Sequence, residues 1–281
     1  MLRDAILGNP RMNVFGKWLL VAAAGLFASP SLAAQCVPPS GFQDFLSSMK
    51  AEAAASGVGS KGMKVLAGVS YDANVIAFDK KVRASFKGSF EQFAASRVTA
   101  GRVSKARAYM KSHAALFQRI EGQYGVQAPV ILAIWGMETD FGAVVGKKPI
   151  INGLASLASD CRRPDLFQGE LIAALKLIDS GVLSESQLRG AGHGEIGQTQ
   201  FLPSSYLKFA VDGNGDGRKD LIGTPEDVLA STANYLKGYG WQRGGAWQPG
   251  TANFGVLAGW NKSPNYQRAI ALFADKVAAG S

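Results

Sequence analysis

The sequence predicts a mainly α-helical protein whose single folded domain follows a removable leader. Three observations carry that expectation. Hydrophobic residues recur at helical spacing from Gly41 onward, alternating strand patterns are scarce, and a short apolar run between basic and small residues opens the chain. With 47% hydrophobic and 18% charged residues among 281, the chain is too apolar for disorder and long enough to bury a core.

Arg3, Arg11 and Lys17 precede the apolar run Trp18–Ala28, and residues 29–34 (Ser-Pro-Ser-Leu-Ala-Ala) offer cleavage after Ala33 or Ala34. The run is shorter than the ~20 residues of a spanning helix. Residues 1–34 are therefore expected to be a signal peptide, with an uncleaved anchor as the alternative, and residues 35–281 the working domain. Residues 35–100 read as an N-terminal subregion of it. Cys36 follows Gln35, where a lipid-modified cysteine wants a small residue, so a soluble exported protein is favoured over a lipid-anchored one. In an oxidising compartment Cys36 and Cys161 could form one disulfide; two unpaired thiols are the alternative.

Phe42, Phe45, Leu46 and Met49 open the helical pattern at i, i+3, i+4 and i+7. Similar patterns predict helices over 100–123, 165–180, 225–239 and 264–278. Thr224-Pro225-Glu226-Asp227 reads as a helix start, and Ser184 through Gln187 has capping-box spacing. The best place for a short strand is 68–78.

Composition removes several chemistries. Two histidines, His113 and His193, and two cysteines fit no common zinc spacing and leave few bases for a nucleophilic triad. The net charge is +9, and +7 without residues 1–34, which suits an anionic partner. No tight basic run or basic-aromatic stripe is present, so nucleic acid is not expected.

The segment Val130-Ile-Leu-Ala-Ile-Trp-Gly-Met-Glu138 is interior in character yet ends on a carboxyl. Desolvation and a helix C-terminus both raise a carboxyl pKa, which suits a general acid for a sugar leaving group. A buried Glu bonded to a backbone donor or to an arginine is the structural alternative. Asp140 lies two residues on, toward the opposite side of a continuing helix, so it reads as a structural residue rather than a second glycosidase carboxylate. Residues 194–206, rich in glycine and amides, suit a loop that presents polar side chains. Asp212, Asn214, Asp216 and Asp220 fall at positions 1, 3, 5 and 9 of an EF-hand-like loop, with Gly217 at position 6 and the Arg218 carbonyl at position 7. Gly223 stands where a bidentate Glu is wanted, with Glu226 and Asp227 as nearby substitutes; an Asx-turn loop without metal is the alternative.

Taken in order, Trp135-Gly-Met-Glu-Thr-Asp-Phe-Gly142, Asp160-Cys-Arg-Arg-Pro164, Gly197-Gln-Thr-Gln-Phe-Leu-Pro-Ser-Ser205, the 212–220 loop and Ala233-Asn-Tyr-Leu236 resemble the membrane-bound lytic transglycosylase B family of peptidoglycan lytic transglycosylases. The resemblance covers about residues 40–278 and is clearest over 125–241. It implies a lysozyme-like helical catalytic domain with an EF-hand-like calcium loop. It also implies cleavage of the β-1,4 bond from N-acetylmuramic acid (MurNAc) to N-acetylglucosamine (GlcNAc) without water, leaving a 1,6-anhydroMurNAc end.

On this resemblance Glu138 is the single acid and then base, and Gln200 a glycan contact beside it. Arg162 and Arg163 suit the peptide-stem carboxylates, while Tyr235, Asn261 and Tyr266 line the groove, with ordinary packing as their alternative. Asp212, Asn214, Asp216, Arg218 and Asp220 hold a structural Ca2+, and no organic cofactor is expected. The expected setting is the periplasm, with a monomer acting on peptidoglycan glycan strands and cell-wall machinery as a further partner class. His193-Gly194-Glu195-Ile196 departs from the family pattern; Glu195 is expected to face solvent, or else to alter pH dependence or water handling. With the chain ending at Ser281, no C-terminal wall-binding module is expected. A muramidase hydrolysing the same bond and a catalytically silent wall-binding protein are the rival readings.

Overall fold

The computed structural model describes residues 34–85 and 88–280, with backbone only over 82–85; the leader expected at 1–34 lies outside these residues up to position 33. Among the described residues thirteen α-helices follow one another: α1 Phe42–Ala55, α2 Ser60–Ala67, α3 Ala73–Ser85, α4 Phe90–Arg97, α5 Ala100–Ser112, α6 Ala114–Tyr124, α7 Ala128–Thr139, α8 Ile151–Ser159, α9 Pro164–Asp179, α10 Pro203–Phe209, α11 Pro225–Gly238, α12 Ala252–Trp260 and α13 Pro264–Ala278. Two-residue strands β1 (Lys148–Pro149) and β2 (Arg189–Gly190) pair antiparallel between α8 and the loop that follows α9.

Helix α7 is the axis of the molecule. Every residue from Ala128 to Met137 is buried, so this helix has no solvent face, and α13, α5 and α11 pack around it. Pro129 occupies its first turn, where the missing N–H costs nothing. Asp140 (φ 53°) and Phe141 (φ 62°) turn left-handed and end it. Gly136 permits the close approach of α13: a Cβ there would stand 2.8 Å from the Phe141 ring and 3.0 Å from that of Phe273. A second group, α8 on α9 with α2 and α10 flanking, carries the remaining core.

Several expectations change on folding. The strand expected at 68–78 is a capped helix start. Asp72 accepts the Asn74 amide at 2.9 Å, while the Ser70 and Asp72 amides bond to Asn152 and Ser156 of α8. The helix expected over 100–123 breaks at His113 (φ −119°, ψ 32°), whose ring stacks on Tyr109 with centroids 3.9 Å apart. Thr224 precedes α11 without a side-chain cap, and Asp227 instead turns inward to take the Gly213 and Asp220 amides, both at 2.7 Å. The Ser184–Gln187 capping box closes a 3₁₀ turn.

Cys36 is bonded to Cys161 with Cα atoms 5.0 Å apart, which ties the segment before α1 to the end of α8. Ala34 and Val37 reinforce the tie. The Ala34 amide donates to Glu52 at 3.0 Å, its carbonyl accepts from Gln168 at 2.6 Å, and the Val37 amide donates to the Ser159 carbonyl at 3.0 Å. Among the described residues no helix is long and apolar enough to cross a membrane.

Candidate active site

Glu138 is the penultimate residue of α7 and opens onto a cleft of about 550 Å³. Its carboxyl is packed deeply among protein atoms while part of its surface still faces that cleft. Oε1 accepts two hydrogen bonds, from Tyr266 Oη at 2.6 Å and from Trp260 Nε1 at 2.9 Å. Among the described residues no donor reaches Oε2, so that oxygen is left for the cleft. Burial raises the Glu138 pKa, while the Tyr266 and Trp260 bonds and the Arg97 charge act in the opposite direction. The net shift is upward. A carboxyl of this kind can give a proton from one oxygen while the other is held.

The end of α7 is clamped to the 194–206 loop, which is how the helix and the loop come to form one site. Trp135 Nε1 donates to Gln198 Oε1 at 3.0 Å, Thr139 Oγ1 to the Gln198 carbonyl at 2.5 Å, and Gln198 Nε2 to the Ile222 carbonyl at 2.9 Å. Gln198 is thus a brace, and Gln200 is the amide at the cleft. Gln200 sits at φ 55°, in a tight turn closed by the Ile196–Phe201 bridge, and its Nε2 donates to the Gly197 carbonyl at 2.7 Å. Phe201, Tyr235 and Trp260 form an aromatic wall, with Tyr235 edge-on to both neighbours at 5.6 and 4.9 Å. Tyr235 donates to the Gly259 carbonyl at 2.8 Å. Asn261 borders the cleft and accepts the Ser263 amide at 2.9 Å.

Three placements differ from expectation. Tyr266 is buried behind Glu138 rather than offered for stacking in the groove, and its hydroxyl pKa is pushed well up by burial and by the carboxyl it touches. Arg162 and Arg163 are not free at the Glu138 cleft, because both bind the buried Asp79, at 2.6 and 2.5 Å. Arg162 also chelates Asp160 at 2.8 and 3.2 Å. Glu195 lines the cleft together with Glu138 and carries a buried oxygen, so it is not a plain solvent-facing residue. Its pKa is raised by burial, against the pull of His193 and with the push of Glu138 and Asp79.

Asp140 turns away from the cleft: Arg102 Nε lies 3.4 Å from its carboxylate and Lys105 bonds its carbonyl. Sequence reasoning missed Arg97, Trp260 and Phe78, which also line the cleft. Only the Trp-Asn sequence at the end of an apolar helix signalled any of them.

In the 212–220 loop Asp212 accepts the Gly215 and Gly217 amides at 2.6 and 2.7 Å, and these backbone bonds, Gly217 first, hold its carboxyl below the ordinary aspartate range. Asp216 accepts the Arg218 amide at 2.8 Å, Asp220 that of Ile222 at 2.8 Å, and Asn214 that of Asp216 at 3.0 Å. The loop therefore has Asx-turn geometry and an oxygen-only donor set. Among the described residues no group of three or more His, Cys, Asp or Glu side chains is placed to hold a metal ion. The substitute expected in Asp227 is occupied with the loop's own amides.

With this geometry in hand, comparison with known proteins defines the class. The family model described as "Transglycosylase SLT domain" matches residues 41–251. The chain belongs to that family. Membrane-bound lytic murein transglycosylase B of Escherichia coli (strain K12) is 34% identical over 158 residues, 56% of this chain and 44% of that relative. The aligned stretch thus spans under half the relative's length. SltB3 from Pseudomonas aeruginosa, crystallised in complex with NAG-anhNAM-pentapeptide, superposes with a TM-score of 0.76 and 28% identity, covering 84% of this chain and 79% of that one. Escherichia coli Slt35 in complex with calcium superposes at 0.69 with 22% identity, covering 90% and 98%. This last likeness is one of fold.

Proposed function

We propose that the protein is an exported lytic transglycosylase that cleaves the MurNAc-β-1,4-GlcNAc bond of peptidoglycan and leaves 1,6-anhydroMurNAc ends. The observation that carries this reading is the carboxyl of Glu138, with Oε1 held by Tyr266 and Trp260 and Oε2 left for the cleft. Protonated Glu138 gives its proton to the glycosidic oxygen as the C1–O bond breaks, and the substrate's N-acetyl oxygen stabilises the developing cation. The carboxylate then takes the C6 hydroxyl proton as O6 closes on C1. One group serves both steps, so no second carboxylate and no water are required. Gln200, Asn261 and the Phe201–Tyr235–Trp260 wall would contact the sugars. Support for the ligand class comes from the SltB3 complex with a NAG-anhNAM-pentapeptide.

Glu195 in the same cleft favours a second reading, a muramidase in which that carboxylate positions water. Mass spectrometry of muropeptides released from purified peptidoglycan separates the two. We expect anhydro ends, lighter by about one water (~18 Da) than hydrolytic products. Reducing ends would make the protein a muramidase. Absence of products with wall binding intact would make it a binding protein.

For export, the buried and tethered Ala34 supports leader removal after Ala33. A new α-ammonium at Ala34 would then stand 3.0 Å from the Glu52 carboxylate. We also propose a structural Ca2+ on the 212–220 loop, supported by its oxygen donors and by the calcium complex of Slt35. Millimolar Ca2+ should raise the melting temperature over that in chelator, by the equivalent of about 2.7 kcal/mol if the ion reaches 100 times its Kd. No shift, together with no calorimetric binding, would remove the metal assignment.

A further inference from the structure

Within the Glu138 cleft a second polar pair, His193 and Glu195, has no task in the chemistry just derived. Its backbone is fixed. Gly192 and Gly194, at φ 112° and 109°, bracket His193, and a Cβ on Gly194 would meet Leu154 of α8 at 2.4 Å. Behind Glu195, a Cβ on Gly190 of β2 would lie 2.0 Å from the Glu195 carbonyl oxygen, so glycine alone lets the loop sit this close to the strand. The His193 ring is also held, stacked on Phe78 with centroids 4.6 Å apart and planes 19° apart.

The His193 ring is held by Phe78, while the Glu195 side chain keeps 32% of its surface exposed at the cleft. His193 Nδ1 and Glu195 Oε2 are 3.9 Å apart, too far for a direct hydrogen bond. Glu195 Oε2 and His193 Nε2 are buried and, among the described residues, neither has a hydrogen-bond partner. The surrounding charge selects the kind of partner. Glu138 and Asp79 bear on Glu195 and disfavour an anion, while Arg97 on the cleft opposes a cation. A neutral group that both donates and accepts fits best.

We propose that His193 and Glu195 form a glycan-positioning pair in the Glu138 cleft, which holds an acetamido group or vicinal hydroxyls of a bound sugar. This rests on the lytic transglycosylase reading for the class of ligand. The exposed part of the Glu195 carboxylate accepts an N–H or O–H of the sugar, and the His193 ring takes the companion atom.

The test compares Glu195→Ala, Glu195→Gln, His193→Ala and the double alanine variant in muropeptide release. Each is also made in a Glu138→Gln background for equilibrium binding of NAG-NAM oligosaccharides. Either alanine variant should raise KM, and Kd in the inactive background, by about 10-fold with kcat within about 2-fold, the scale of one hydrogen bond. The double variant should lose little more than the worse single one, because both side chains serve one ligand group. Glu195→Gln should keep most of the affinity, since its amide oxygen accepts the same bond; this conservative rescue distinguishes positioning from a purely structural role. Unchanged KM and Kd in both alanine variants would overturn the proposal, as would a loss confined to kcat or a glutamine variant as weak as the alanine one. If the wild type released no muropeptides, the enzymatic reading would fall, yet the Kd ratio between Glu138→Gln and Glu138→Gln/Glu195→Ala would still decide this pair. Equal values, or no binding by either, would reject it.

Discussion

Glu138→Gln is expected to lower muropeptide release by about 10²–10⁴-fold, the usual contribution of a general acid-base group, while leaving the fold intact. The amide oxygen of Gln can still accept from Tyr266 and Trp260, so the two bonds that orient Oε1 in the wild type survive. What is lost is the transferable proton. Stability should move the other way, and in a pH-dependent manner. The folded pKa of Glu138 lies above its ordinary value of 4.5. Below pH 4.5 the carboxyl is protonated in both folded and unfolded chains and carries no penalty. As pH rises from 4.5 through the raised folded pKa, the native state holds a proton that the unfolded state has released, and stability falls. Above that pKa the full cost remains. The variant escapes it, so its advantage in melting temperature over the wild type should appear between pH 4.5 and the folded pKa and persist at higher pH. Wild-type activity should decline over the same rise, as the acid form is lost. Melts and initial rates from pH 4 to 8 check both statements, and undiminished muropeptide release by the variant would remove Glu138 from the mechanism.

Glu138 was legible in the sequence as a candidate, beside the alternative of a structural carboxyl, because its signal is local: an apolar run too long to be surface ends on a carboxyl. The helices α9, α11 and α13 were legible for the same reason, their apolar periodicity being complete within each segment. What surrounds Glu138 was not. Trp260 and Tyr266 reach it across 122 and 128 residues, and a tyrosine that packs behind a carboxyl has the same sequence pattern as one that lines a groove. Arg162 and Arg163 illustrate the converse. A pair of adjacent arginines reads as a free anion site until the fold supplies Asp79 from α3, and nothing in the spacing of residues 79 and 162 announces that contact. The mistaken strand at 68–78 has a local cause. Its hydrophobic pattern is ambiguous, and the decision falls to side chains of α8 that take the Ser70 and Asp72 amides before any strand partner can. Charge pairing and backbone satisfaction by distant residues are therefore where sequence reasoning stopped.

Replacing both Cys36 and Cys161 by Ser should lower the unfolding free energy by about 2–5 kcal/mol. The bridge closes a separation of 125 residues, which takes in helices α1 to α8 and Glu138 itself. Chain-entropy arguments give about 4.7 kcal/mol for a closed loop of 100 residues, and the dependence on length is slow beyond that. The Ala34 and Val37 hydrogen bonds hold the same segment after the bridge is cut, and they should moderate the loss. So should α1, whose Phe42, Phe45, Leu46 and Met49 are buried. The damage should be unequal across the molecule, because α7 packs chiefly on α13, α5 and α11, whereas α1 packs on α2 and α8. Hydrogen exchange in the double serine variant should accelerate first in α1 and at the end of α8, with α7 protected longest. Denaturant titration measures the total. A loss under about 0.5 kcal/mol would mean that packing of α1 alone secures the segment; uniform acceleration of exchange would mean that the domain unfolds as a single unit in which α1 and α7 stand or fall together.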